Sequence, residues 1–120
     1  MNKIYHLSTC DTCKRIIKQL QLPDSFVLQD IKSEPITVKQ LEEMKKLAGS
    51  YESLFSRRAK LYKERNLAEE KLAEEDYKRF ILEHYTFLKR PVILADGKIF
   101  VGNSKKTVEE AAKTIAGMQD

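Results

Sequence analysis

The chain has 120 residues, 42% of them apolar and 33% charged, and 22 basic against 18 acidic side chains give a net charge of +4. This composition supports one modest core and excludes a disordered chain. No apolar run approaches the roughly 20 residues of a membrane span, and MNKIYHLST lacks the apolar stretch and small-residue cleavage site of a secretory signal. A cytoplasmic protein without membrane contact is expected, and the slight basic excess does not argue for direct nucleic-acid binding.

Lys3 to Leu7 alternates around Ile4, Tyr5 and Leu7 and reads as a short strand. From Thr12 to Leu20, Ile16, Ile17 and Leu20 recur at helical spacing, and Pro23-Asp24 ends that helix. Phe26 to Ile31 reads as a second strand. Strands joined through a helix are usually parallel, with a right-handed crossover. Thr37 with Gln40 three residues later is a capping-box signature. Val38, Leu41, Met44 and Ala48 follow on one face, and Gly49 is a good stop. The basic stretch beyond has weak periodicity and reads as loop or short helix. Glu74 to His84 is the clearest helix, with Tyr77, Phe80, Ile81 and His84 at i, i+3, i+4 and i+7. Met44, Tyr77 and Phe80 read as core, and His84 as a helix-end residue favoured by the dipole.

Pro91 heads the apolar run Val92-Ile93-Leu94, a tolerated place for proline. Asp96-Gly97 signals a two-residue hairpin turn, and Lys98 to Val101 returns antiparallel. Asn103 or Ser104 can cap a last helix, with Glu109 and Glu110 in its early turns. Val108, Ala111, Ala112 and Ile115 form its apolar face. The order is β-α-β, a helical insert over approximately residues 35–88, then β-β-α. An α/β fold is expected, with a four-stranded mixed sheet and helices packed on it, as one domain over 1–120.

Cys10 and Cys13 are the only cysteines, and they fall where the first strand gives way to the first helix. Three readings compete. A zinc site needs about four ligands, and only His6 and His84 could join the pair, far apart in sequence. No metal site is expected. Two inert cysteines are the second reading, since a free thiol packs as a small hydrophobe. The third is a reactive thiol with a partner, and the setting favours it. Unpaired amides of a helix's first turn and its macrodipole stabilise a thiolate, and Lys14 and Arg15 add cations. In such places a cysteine pKa can fall from ~8.5 to between ~3.5 and ~7.5. Cys10 is expected to be the more exposed and more acidic thiol. Cys13, one turn in, is expected to be buried and placed to attack a mixed disulfide on Cys10. A static staple does not suit a reducing compartment. His6 reads as a core histidine satisfied by backbone rather than as a catalytic group. Basic residues crowd Arg57 to Arg65, Lys89-Arg90 and Lys105-Lys106, apart from the acidic Glu69 to Asp76. One electropositive face would suit a small anion or an acidic partner.

This order, with YHLSTCDTCKR, DIKSEPITVKQL, LFSRRAKLYKE, FLKRPVIL and KIFVGNSKKTVEE, resembles a thioredoxin-like fold with a helical insertion. More narrowly, it resembles the ArsC/Spx/YffB family, essentially end to end. Arsenate reductases of that family use one catalytic cysteine and take electrons from glutathione and glutaredoxin. Spx-type members carry a Cys-x-x-Cys switch and bind the C-terminal domain of the RNA polymerase α subunit. YffB-like members are reductase-like.

The resemblance implies that Cys10 is the nucleophile, that His6 matches the family's His-x3-Cys-x3-Arg pattern, and that Lys14 replaces its arginine, with Arg15 adjacent. Arg57 or Arg58 matches an arginine of the insert loop, and the spacing around Leu61-Tyr62 favours Arg58. Arg90 matches the arginine before the proline strand. A cis Arg90-Pro91 bond is implied, turning Arg90 and nearby backbone toward Cys10. Guanidinium forks and helix amides suit a phosphate-like dianion. The enzymes' third arginine, after the hairpin, has no counterpart in Gly102-Asn103-Ser104-Lys105-Lys106, which is closer to the Spx pattern. The implied function is a thiol-dependent reductase acting on a small oxyanion or thiol substrate. It would hold no bound cofactor and draw electrons from a redox partner protein, through glutathione/glutaredoxin or thioredoxin. The alternative is an Spx-like redox-sensing regulator bound to the RNA polymerase α subunit. A monomer is expected.

Overall fold

In the computed structural model, which describes residues 2–118, Ile4 and Ile93 face each other in the middle of a four-stranded sheet. The strands are β1 (Lys3–His6), β2 (Val27–Asp30), β3 (Val92–Ala95) and β4 (Lys98–Val101), in the order β2-β1-β3-β4. β1 and β2 are parallel and joined through α1 (Asp11–Leu20). β1–β3 and β3–β4 are antiparallel. Hydrophobicity sorts the strands. The interior strand β3 is buried at every position, whereas edge strand β2 leaves Val27 and Leu28 exposed.

Ile4, Ile93, Ala95 and Phe100 form one sheet face. Ile16 and Leu20 of α1 pack there, with Val108, Ala111 and Ile115 of α5 (Lys105–Gly117). Burying one such aliphatic side chain contributes about 1.5–3 kcal/mol. These residues belong to one of two compact units, residues 2–34 with 90–118; the other is Pro35–Lys89.

The first unit departs from the sequence reading at its junctions. Leu7 leaves the β1 ladder, and its carbonyl instead accepts the Cys10 N–H at 3.0 Å. That turn makes Cys10 the N-cap and starts α1 at Asp11, one residue earlier than expected. β2 lacks Phe26 and Ile31 at its ends, both of which are buried. Asp96 and Gly97 take φ of 53° and 72°, the two positive values of a type I′ turn. Ser104 caps α5 by accepting the Thr107 N–H at 3.2 Å. Glu109 and Glu110 lie beyond the first turn of α5, which carries Lys105 and Lys106 and no acid.

In the second unit, α2 (Val38–Ala48) has the expected capping box. Gln40 N–H donates to Thr37 Oγ1 at 3.1 Å, and Thr37 N–H to Gln40 Oε1 at 3.0 Å. Gly49, at φ 96°, closes the helix. The weakly periodic stretch becomes 3-10 turns at Glu52–Leu54 and Leu67–Glu69 around a short α3 (Lys60–Glu64). α4 (Glu74–Glu83) stops before His84, whose extended backbone leaves the helix. His84 is the C-cap of α4, and its ring turns to the next segment. Its Nδ1 accepts the Thr86 N–H at 3.1 Å and caps the following 3-10 turn, Tyr85–Phe87. Phe55 stacks on Phe87 at 5.4 Å and meets Tyr77 at 4.9 Å, so an aromatic cluster takes the place of a sheet as the core. Met44, Tyr77 and Phe80 are buried, as read. Among the described residues, no helix is long and apolar enough to cross a membrane.

The hairpin supplies a stability test. A Cβ at Gly97 would meet nothing within 4 Å, so only backbone strain opposes a side chain there. Gly97→Ala is expected to cost about 1 kcal/mol, the left-handed penalty. Urea unfolding measures it; an unchanged midpoint would show that the turn tolerates the substitution by refolding into another type.

Candidate active site

Cys10 is half-buried and Cys13 wholly buried, and both are free thiols. They lie three residues apart at the first turn of α1, so both sulfurs belong to one helix end. A thiol is a weak cap, and the Cys10 sulfur closes no capping hydrogen bond of full geometry. Its surroundings nonetheless act on its charge. Burial is the largest influence and pushes the pKa up. The Cys13 N–H, the Cys13 thiol, the Thr12 N–H and the Arg90 guanidinium together outweigh it, and the Cys10 pKa ends below the ordinary thiol range.

Cys13 moves the other way, to about 11. Burial is again the largest cause, and the Leu7 N–H only partly offsets it. The neighbouring Cys10 raises it further, because Cys13 gives up its proton toward that sulfur and a second negative charge there is repelled. Arg90 pulls both thiols down. The two thiols on one helix end are therefore driven apart in acidity, and the deeper sulfur holds its proton the more firmly.

Arg90 is the cation that reaches the pair. It precedes Pro91 through a cis peptide bond, and Pro91 is buried with its carbonyl accepting the Gly102 N–H at 2.9 Å. Lys14 and Arg15 are exposed on α1. His6 ends β1, half-buried rather than in the core, with its carbonyl accepting the Ile31 N–H at 2.9 Å.

Arg57 and Arg58 lie in the Pro35–Lys89 unit, in the turn before α3, and both are exposed. Arg57 Nη2 contacts Glu52 Oε2 at 2.7 Å and donates to the Tyr77 hydroxyl at 3.1 Å. The Glu52 carboxylate is the main reason its pKa is raised. Arg57 thus has protein partners of its own. Among the described residues, no three His, Cys, Asp or Glu side chains gather as a metal site would.

The sequence reading passed over Asp30 and Ser8. Ser8 Oγ donates to Asp30 Oδ2 at 2.6 Å, and the Ser8 and Lys32 amides donate to Oδ1 at 3.3 and 3.2 Å. The Ser8 hydroxyl is the chief reason the Asp30 pKa falls to about 2. The contact spans 22 positions and follows no local motif. The available signal was an acid ending a strand predicted to run parallel to the one before the cysteines.

A four-stranded mixed sheet in the order β2-β1-β3-β4, with a Cys-x-x-Cys pair at the start of its first helix and a cis-proline before β3, is a thioredoxin-like fold. The profile of the ArsC family matches residues 5–111, and the chain belongs to that family. It is 24% identical over 112 residues to the global transcriptional regulator Spx of Bacillus subtilis, covering 90% of this chain and 84% of that one. It is 28% identical over 113 residues to the YfgD protein of Escherichia coli, covering 90% and 93%. The solved structure of an arsenate reductase from Vibrio cholerae superposes with a TM-score of 0.71 at 20% identity, over 94% of this chain and 96% of that one, a likeness of fold.

The raised pKa of Cys13 has a consequence for stability. Its folded value, about 11, lies above its ordinary 9.0. The unfolded chain releases this proton first as pH rises, so the stabilisation is complete below pH 9 and is lost between about 9 and 11. Urea midpoints across that window should fall in the wild type and fall less in Cys13→Ala. Parallel curves would contradict the assignment.

Proposed function

We propose that the chain is a thiol-dependent reductase in which Cys10 is the nucleophile and Cys13 the resolving thiol. The opposite displacement of the two thiol pKa values, with Arg90 acting on both, is the observation that supports it. Nucleophilic attack requires a thiolate, and a pKa lowered from the ordinary thiol value makes Cys10 the easier of the two to ionise.

Against a disulfide, the Cys10 thiolate attacks one sulfur, the other leaves as a thiolate, and a mixed disulfide remains on Cys10. Against an oxyanion such as arsenate, the thiolate displaces hydroxide, taken off as water with a proton, and leaves a sulfur–arsenic bond. Cys13 then gives up its proton and attacks the Cys10 sulfur. A Cys10–Cys13 disulfide forms, and the leaving group carries away the electron pair as a thiolate or as trivalent arsenic. Each turnover reduces one substrate by two electrons and oxidises two thiols. Two donor thiols, from glutathione/glutaredoxin or from thioredoxin, return the pair to the dithiol and leave as a disulfide of their own. Once Cys10 is bonded to substrate, its charge no longer raises the Cys13 pKa, so the resolving thiol is easier to ionise when it is needed.

Arg90 is the substrate-side cation in this reading, with Lys14 and Arg15 as supporting charges, and His6 and Pro91 as supporting positions. Arsenate is expected to be a poor substrate, because no arginine follows the hairpin in Gly102–Lys106. A second reading, favoured by the similarity to Spx over 90% of the chain, is a cytoplasmic redox-sensing regulator that binds the RNA polymerase α subunit.

The test is capture from a cell lysate with Cys13→Ser, which leaves a mixed disulfide on Cys10 unresolved. Thiol-releasable partners on this variant, lost in Cys10→Ser, are expected for the reductase. Recovery of RNA polymerase from both variants, without a disulfide link, would favour the regulator. With arsenate, glutathione and glutaredoxin, turnover matching a dedicated reductase would overturn the substrate assignment.

A further inference from the structure

The loop from Leu7 to Cys10 has two duties at the thiol pair. Its Leu7 N–H acts on the Cys13 sulfur, and its last residue carries the nucleophile. Little within the loop itself fixes its course. Ser8 and Thr9 are exposed, and the Cys10 N–H to Leu7 carbonyl bond is its one internal backbone tie among the described residues. The constraint comes from the neighbouring strand. Asp30 stands opposite His6 at the end of β2, where the parallel register of β1 and β2 stops. Its carboxylate accepts from the Ser8 hydroxyl at 2.6 Å and from the Ser8 N–H at 3.3 Å. The Lys32 N–H holds the same carboxylate from the other side at 3.2 Å, and the Ile31 N–H bonds the His6 carbonyl at 2.9 Å. Asp30 is therefore fixed before it grips the loop.

We propose that Asp30 is a positioning residue for the Cys10 thiolate: through Ser8 it sets where the Leu7–Cys10 loop lies against the first turn of α1. An amide or charge acts on a sulfur only at short range and in line, so a displaced loop weakens the pull of the Thr12 and Cys13 amides on Cys10. Nothing about a turn-capping aspartate alone would require this. The Lys32 bond is local and holds the turn after β2, whereas the two Ser8 bonds reach across to the cysteine loop.

The inference rests on the reading of Cys10 as a reactive thiolate, and the experiment keeps the two apart. The rate of Cys10 alkylation by iodoacetamide is followed against pH for the reduced wild type, Asp30→Ala, Asp30→Asn and Ser8→Ala, with thermal melts alongside. Positioning and charge predict opposite signs. Loss of a negative charge near a thiolate makes it easier to form, so a purely electrostatic Asp30 would give faster alkylation in both Asp30 variants. A positioning Asp30 gives slower alkylation in Asp30→Ala at neutral pH, by about tenfold, with the profile shifted upward. Asparagine retains an oxygen for the two amides and an NH2 for the Ser8 oxygen, so Asp30→Asn should stay near the wild type. Ser8→Ala should slow the reaction in the same direction but less, since the Ser8 N–H bond survives, and it carries the test alone if Asp30→Ala does not fold. A wild-type profile in Asp30→Ala, or acceleration in both Asp30 variants, overturns the proposal and leaves the reactive thiol standing. A wild-type Cys10 that titrates as an ordinary thiol overturns both.

Discussion

A helix that begins where a parallel strand ends leaves its first amides without partners, and in this protein the residue at that place is a cysteine. The rest of the site depends on this. Thr12 and Cys13 direct backbone N–H groups toward the Cys10 sulfur. The same turn carries Cys13 into the interior, where desolvation holds its proton to about pH 11. One backbone feature therefore acidifies one thiol and protects the other. The sheet supports this arrangement. β1 is an interior strand tied to β2 and β3, and Ile16 and Leu20 anchor α1 to its face. Loosening that packing would move the helix end relative to the loop that delivers Cys10.

Charge placement follows a related logic. The guanidinium that acts on both sulfurs comes from Arg90, more than seventy positions from the pair in sequence, next to a buried proline. Lys14 and Arg15 are close in sequence but exposed on α1. A solvated cation is screened within about 8–10 Å, whereas one beside a half-buried sulfur is screened much less.

Much of this was legible in the sequence. The β-α-β and β-β-α order, the Thr37–Gln40 capping box, the Asp96-Gly97 turn and the cysteines at the head of α1 all rest on local signals that the tertiary structure keeps. Where the reading and the structure differ, the cause is a competing hydrogen bond or packing contact that apolar periodicity does not report. Leu7 is apolar and looks like strand, but its carbonyl is taken by the Cys10 amide. His84 fits the helical stripe, but its ring caps the next turn. Residues 49–73 have weak periodicity because short 3-10 pieces packed around Phe55 need no long apolar face. Asp30 could not be found from its neighbours, because its partner Ser8 meets it only once β1 and β2 are paired. Family resemblance supplied the cis Arg90-Pro91 bond, which composition and spacing alone do not indicate.

The central claim is that two thiols on one helix turn are driven apart in acidity by their surroundings. The most direct measurement labels the cysteine Cβ carbons with 13C and follows both shifts by NMR across the pH range. Cys10 should titrate below an ordinary thiol, and Cys13 should not change until near pH 11. Two overlapping transitions in the ordinary thiol range, or the deeper sulfur ionising first, would contradict the account.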